Sequence, residues 1–321
     1  MKQILVTGGA GNVGGALAKK LVTDPDNFVI IVDNLSTGQF HKLPDRKKYT
    51  NFTFIKADVN SFNDISPIIV RYGFDYIFHY AAVVGVKRTL DNPVRVLNDI
   101  QGIKNILELA KNTGVKRVFF SSSSEVYGEP VEFPQNEETT PLNSKLPYAI
   151  VKNVGEAFLK SFKREYNLDY TIFRFFNTYG PDQSADFVVS KFIDLALAGK
   201  PLTLYGDGLQ TRTFCYIDDN ILATTNALYN ASYVNDVVNI GSDKEMTILE
   251  LAKLVIHETG SVSEIVFLPP LAEGDMTRRK PDISKMKKLL NRELTTVEEG
   301  VRGIIELRKN IDAPQVLLKQ A

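Results

Sequence analysis

The chain begins almost at once with an apolar run, "QILVTG", which breaks into "TGGAGNVGG" before a helical pattern sets in near Gly14–Val22. Gly8, Gly11 and Gly14 recur at every third position. Glycines there permit a tight turn and let backbone N–H groups at a helix N-terminus approach a pyrophosphate. A strand, a glycine turn and a helix in this order constrain the chain to open with a β-α-β unit, and Asn12 and Val13 join the candidate phosphate cradle.

The unit then repeats. "FVIIVD", "FTFIKAD", "YIFHYAA" and "RVFFSSS" are short β-rich runs separated by helical patterns, one of them near Asp99–Thr113. They are apolar throughout rather than alternating, as strands covered on both faces must be. The expected fold is α/β, a doubly wound parallel sheet. A further helix spans Tyr148 to about Tyr166 and a strand lies in "YTIFRFFN", after which loops gather around Gly180–Pro181 and Gly206–Asp207–Gly208. The expected division is a dinucleotide-binding domain over 1–180 and a smaller substrate-binding region over 181–321. The first domain also receives a strand and a helix from about 215–260, where "DVVNIGS" reads as a strand and "TILELAKLVIHETG" as an amphipathic helix.

The second strand ends in Asp33, nineteen residues beyond Gly14. A carboxylate there accepts the hydroxyls of an adenosine ribose and repels a 2′-phosphate, and no arginine follows directly in "DNLSTG" to reverse that. NAD is therefore expected over NADP. Asn34, Asp58, Val59, Ala81 and Ala82, at or just past strand ends, complete the candidate cofactor set, with Asp58 placed to reach the adenine.

Composition narrows the alternatives. Thirty-eight basic residues balance thirty-eight acidic ones, so no global field points to nucleic acid or an anionic membrane. The single cysteine, Cys215, excludes internal disulfides and cysteine metal clusters. The N-terminal apolar run is too short for a signal peptide and no stretch approaches the ~18 residues of a membrane span, so a cytoplasmic protein is expected. His41, His79 and His257 lack zinc-site spacing, and His79 reads as a core residue. Asp218 and Asp219 read as the cap of a helix from about Asn220, and "HKLPDRKK" as a solvated connection. No metal is expected.

The stretch "SSSSEVYG" directly follows the strand "RVFF", at the carboxyl end of a parallel strand, where such sheets bind ligands. Further on, "YAIVK" puts Tyr148 and Lys152 on one face of a helix. A free phenol, with pKa ~10, is a poor base at neutral pH. A neighbouring ammonium and a cationic nicotinamide each favour the phenolate, so Tyr148 is the candidate proton acceptor, with a serine hydroxyl beside the same substrate oxygen.

Together with "RFFNTYGP" and "GDGLQTRTFCYIDD", these motifs resemble the extended short-chain dehydrogenase/reductase family, specifically its nucleotide-sugar epimerases, dehydratases and decarboxylases. The resemblance covers nearly the whole chain and implies a Rossmann-type domain with bound NAD. It assigns catalytic roles to Ser123, Glu125, Tyr148 and Lys152, and substrate contacts to Ser123, Ser124, Asn177, Arg212 and Arg278, the two arginines facing a sugar diphosphate. Two positions depart from the family pattern. Asp99 stands where asparagine is common, and Ala272 where several 4-epimerases carry an arginine.

The resemblance also orders the candidate reactions, all of which start with oxidation at sugar C4. Ser124 occupies the place of the dehydratases' acidic aspartate, which weakens a 4,6-dehydratase. Glu125 matches a glutamate of dehydratases and decarboxylases, and keeps UDP-glucuronate decarboxylation open. The loop "AAVVGVKRTLDNP" is similar to that of 4-epimerases, so a UDP-sugar 4-epimerase ranks first. A non-catalytic NAD-binding sensor would have lost the tyrosine, the lysine or the diphosphate arginine, and all three are present. Apolar residues on more than one face of the helices near Asp99–Thr113 and Ala149–Tyr166 suit a homodimer, as the resemblance also implies.

Overall fold

Crossing repeatedly through one plane, the chain lays down a seven-stranded sheet in the order β3-β2-β1-β4-β5-β6-β11, every neighbouring pair parallel. The computed structural model describes residues 1–270 and 278–317. The sheet strands are β1 Lys2–Thr7, β2 Asn27–Asp33, β3 Phe52–Lys56, β4 Tyr76–His79, β5 Arg117–Ser123, β6 Asp169–Phe175 and β11 Asp236–Ile240. Shorter strands are β7 Thr178–Tyr179, β8 Leu202–Tyr205, β9 Thr211–Thr213, β10 Cys215–Tyr216, β12 Glu245–Thr247 and β13 Ile265–Leu268. The helices are α1 Asn12–Leu21, α2 Phe62–Tyr72, α3 Val86–Asp91, α4 Pro93–Leu97, α5 Asp99–Ala110, α6 Pro147–Tyr166, α7 Val188–Leu197, α8 Ile217–Tyr229, α9 Ile248–Thr259, α10 Ser284–Leu290 and α11 Val297–Leu317. Strand order reverses between β1 and β4, which opens a crevice at their carboxyl ends.

Both faces of the sheet are covered, as the uninterrupted apolar runs require. Successive side chains of a strand go to opposite faces. Leu5, Ile30, Ile77 and Val118 pack with α2, α5 and α6, whereas Ile4, Ile31, Phe78 and Phe119 pack with α1, α8 and α10. Parallel strands need crossover connections, and the helical ones put α1, α2, α5, α6 and α8 over the sheet.

A second core lies in the later part of the chain. Phe192, Leu204, Leu251, Val255, Val301 and Ile304 join α7, β8, α9 and α11, with β12 antiparallel to β9 and β13 parallel to β8. The strand of "DVVNIGS" is β11 and adds to the main sheet beside β6. The helix of "TILELAKLVIHETG" is α9, started by a Thr247–Glu250 capping box, and its buried face meets the second core. The helices that the late chain returns to the main sheet are α8 and α10.

Two local expectations, for Asp219 and Lys42, change with tertiary context, and that for His79 holds. Asp219 does not cap α8; it is buried, pairs with Arg292 and accepts the backbone N–H of Thr295 at 2.9 Å, tying the loop before α11 to the sheet layer. Lys42, within the basic loop, is buried against Gly15 of α1, and desolvation lowers its pKa. His79 is a core residue, its Nδ1 2.9 Å from the Thr7 hydroxyl, and burial pushes its pKa down to about 3. No helix among the described residues is long and apolar enough to cross a membrane, and none of their acidic, histidine or cysteine side chains cluster to hold a metal.

Candidate active site

The glycine turn works as a close approach. Gly8 has φ +68°, and a Cβ on it would come within 2.7 Å of the Ala81 backbone nitrogen. A Cβ on Gly14 would overlap the Gly8 carbonyl. Gly11 takes the cap position of α1 without a side-chain cap, so the N–H groups of the first turn, Asn12 and Val13 among them, stay open to an anion. These are the features a pyrophosphate needs.

At the end of β2, Asp33 accepts N–H bonds from Ala10 at 3.0 Å and Leu35 at 2.8 Å, which fixes the carboxylate beside the glycine turn. Each oxygen keeps a second lone pair for a ribose hydroxyl. Asn34 donates to Asp58 at 3.0 Å and the Asn60 N–H donates to the other Asp58 oxygen at 2.9 Å, so the β2 and β3 ends form one polar rim above Val59. Ala81 is held by its N–H to Thr7 at 3.2 Å, and Ala82 follows it along the β4 side of the crevice. The residues present fit an NAD.

The four serines after β5 each meet a different partner. Ser121 accepts a long hydrogen bond from Lys152, 3.4 Å. Ser122 donates to Glu156 at 2.6 Å. Ser123 stands beside the Tyr148 hydroxyl, whose pKa it lowers, and accepts the Glu125 N–H at 3.2 Å. Ser124 accepts from Arg279 at 3.4 Å. Tyr148 stands in the first turn of α6, behind a proline at N1, and Lys152 one turn further.

The protein's own groups, taken by themselves, do not favour the phenolate. Burial raises the Tyr148 pKa above the usual phenol value; Ser123 and Arg279 lower it, while Glu125 and Asp99 raise it. The Lys152 ammonium stands 5.8 Å from the centre of the Tyr148 ring and turns its nitrogen toward Ser121. Without a further positive charge, the desolvation penalty on the phenolate wins. Burial also lowers Lys152, to about 8, and Asp99 acts against that fall. Asp99 is itself raised by burial, though the Val83 N–H, at 2.7 Å, and Asn60 stabilise its carboxylate.

Of the candidate residues, Ser123, Ser124, Glu125, Tyr148 and Lys152 come together at the carboxyl ends of β4 and β5, with an unforeseen member: Arg279, whose guanidinium lies 2.6 Å from Glu125. Arg278 goes elsewhere. It is held by Glu245 through two bonds, 2.6 and 2.7 Å, with Lys280 3.4 Å from the same carboxylate, which lowers Glu245 to about 2. Successive residues of an extended segment point to opposite sides, so "TRRK" carried the signal for an arginine here but not the choice between neighbours. Arg212 on β9 lies opposite Met246, next to Glu245 on β12, so both expected diphosphate arginines flank one strand pair. Asn177 has φ +29° and donates to the Thr213 carbonyl at 3.1 Å, fastening the β6 end to β9. Ala272 lies outside the described residues.

A doubly wound sheet, a glycine cradle at its switch point and a serine–tyrosine–lysine set beside it define a nicotinamide-dependent α/β enzyme class. Sequence comparison agrees: a family model described as "NAD dependent epimerase/dehydratase family" matches residues 4–241, and the chain belongs to that family. Among its relatives, a putative UDP-glucose 4-epimerase of Methanocaldococcus jannaschii is 34% identical over 96% of this chain and 98% of that protein. UDP-glucuronic acid decarboxylase 1 of Xenopus tropicalis is 37% identical over 97% of this chain and 73% of that protein. The crystal structure of Thermotoga maritima UDP-glucose 4-epimerase with UDP-glucose superimposes with a TM-score of 0.89 at 35% identity, covering 96% of this chain and 99% of that one. NAD is the cofactor of the family, whose members include nucleotide-sugar epimerases and decarboxylases.

Proposed function

We propose that this protein is a UDP-sugar 4-epimerase that works through a transient 4-keto sugar. Bound NAD supplies the hydride acceptor and a fixed positive charge. Within the protein, Tyr148 takes the proton of the C4 hydroxyl, Ser123 holds the same oxygen and Lys152 keeps the local field positive. Asn177, Arg212 and Arg278 serve the nucleotide diphosphate, Arg278 after exchanging Glu245 for phosphate. Epimerisation then requires the ketosugar to turn and Tyr148 to return its proton.

One observation carries the choice of a neutral sugar. Glu125 Oε2 and Arg279 Nε are buried and find no hydrogen-bond partner among the described residues, although the two side chains are paired through their other atoms. A hydroxyl can satisfy both, accepting from one and donating to the other. A carboxylate can only accept, and would meet a glutamate whose charge already compensates the arginine.

A second reading, UDP-glucuronate decarboxylation, is favoured by the same arginine: if Arg279 leaves Glu125, it can hold a substrate carboxylate beside Ser124. Incubation with UDP-glucose, UDP-N-acetylglucosamine, UDP-glucuronate and dTDP-glucose, followed by chromatography and mass analysis, separates the outcomes. A new isomer of unchanged mass supports the epimerase. Loss of carbon dioxide from UDP-glucuronate establishes the second reading, and no conversion with no near-ultraviolet change of the cofactor overturns both.

We also propose a homodimer, supported by the surface of α6. Ile150 and Ala157 are exposed and Val154 and Phe158 only half-buried, an i, i+4, i+7, i+8 apolar stripe left over once the opposite face has packed on the sheet.

A further inference from the structure

Three successive turns of α6 are each tied to one serine at the end of β5. Tyr148 meets Ser123, Lys152 meets Ser121 and Glu156 meets Ser122. The first two contacts involve the residues assigned to chemistry. The third does not touch that set, yet at 2.6 Å it is much shorter than the 3.4 Å Lys152–Ser121 bond, and it is the most deeply buried, with Glu156 1% and Ser122 2% exposed.

Glu156 is fixed from the other side. Arg174 on β6 grips it through Nε at 2.9 Å and Nη2 at 2.7 Å, and Arg174 Nη1 donates to the Tyr127 hydroxyl at 2.8 Å. Tyr127 in turn donates to Asn239 on β11 at 2.8 Å, and Asn239 donates to the Gln135 carbonyl at 2.9 Å. Gln135 accepts from Asp282 and donates to Lys280, backbone to backbone, at 2.8 and 2.7 Å, next to Arg279. The carboxylate is therefore a fixed point shared by β5, β6, β11 and the segment carrying Arg279. A helix otherwise held to its sheet by apolar contacts can slide or rotate by fractions of an ångström at little cost; a buried charge-assisted hydrogen bond cannot.

We propose that Ser122 and Glu156 are positioning residues for the reaction, acting as the rung that sets α6 on β5 so that Tyr148 arrives opposite Ser123. The role rests on the reading that Tyr148 and Ser123 handle the substrate oxygen. The Ser122 hydroxyl is bonded to neither of them; it acts through Glu156 on the helix. Its hydroxyl is the part to remove, because Glu156→Gln would also strand the buried Arg174 charge.

The test compares Ser122→Ala with Thr171→Val, which deletes another buried hydroxyl of the same sheet, one bonded to the Tyr233 carbonyl at 2.8 Å and remote from α6. Ser122→Ala is expected to lower kcat about tenfold with KM within about twofold, the scale of one hydrogen bond to a charged group. Amide exchange over 147–152 should quicken about tenfold while 159–166 stays protected, and Ser122→Thr, which keeps the hydroxyl, should restore both. Thr171→Val should lower Tm without either effect. Unchanged exchange over 147–152, or kcat losses that follow Tm equally in both variants, would overturn the proposal. If the wild-type protein turns over none of the nucleotide sugars, the functional reading fails and the exchange comparison still decides the rung.

Discussion

Tyr148 is a phenol whose proton affinity burial has raised, so the protein's own charges leave it protonated at neutral pH and not yet able to accept a proton. Its deletion is the plainest test: Tyr148→Phe should lower turnover by about 10²- to 10⁴-fold, the usual contribution of a positioned acid–base group, while bound NAD, read by absorbance after denaturation, stays at the wild-type level. Lys152 sets the other limit. With a pKa brought down to about 8, it loses its charge as pH rises through that value, and turnover should fall with it. Asp99 opposes that shift, so Asp99→Asn should move the basic limb of the pH–rate profile to lower pH, and an unmoved limb would remove Asp99 from the site. Stability should respond in the opposite sense. Between about 8 and the ordinary 10.5 the unfolded chain binds the proton that the folded one has lost, so this lysine's contribution to stability rises with pH while activity declines.

At the scale of elements, two junctions carry the site. The β1–α1 turn has no space for a side chain, and Gly14→Ala should yield a folded protein, by circular dichroism, that purifies without its dinucleotide. The β5–α6 junction depends on a buried ion pair between Glu156 and Arg174, both 2% exposed at the side chain. Removing one partner leaves an uncompensated charge, so Arg174→Met should cost about 3–5 kcal/mol in denaturant unfolding. Glu156→Leu with Arg174→Met together should cost less than Arg174→Met alone, because no orphan charge remains. Neither junction announces itself equally in sequence. The glycine spacing is a backbone requirement and was legible, whereas Glu156 and Arg174 are ordinary charged residues until a helix and a strand place them side by side.

For the whole molecule, the apolar stripe on α6 outlasts folding, and sedimentation should give a dimer; Ile150→Glu should convert it to monomer, and a wild-type monomer at micromolar concentration would refute the proposed assembly. The sequence alone determined the doubly wound sheet, because apolar periodicity and glycine turns are local properties that commit each segment before any long-range contact forms. It also marked Gly8, Gly11, Gly14, Asp33, Tyr148 and Lys152 as candidates, because residue type and short spacing are local properties. Only the tertiary structure decided which of two adjacent arginines meets Glu125, that α9 joins the second core while α8 covers the sheet, and that Asp219 anchors a distant loop. Those outcomes depend on which face of an element is buried against a segment a hundred or more residues away or across a layer, and on which desolvated charge finds a partner there, and neither is written in the local pattern of the chain.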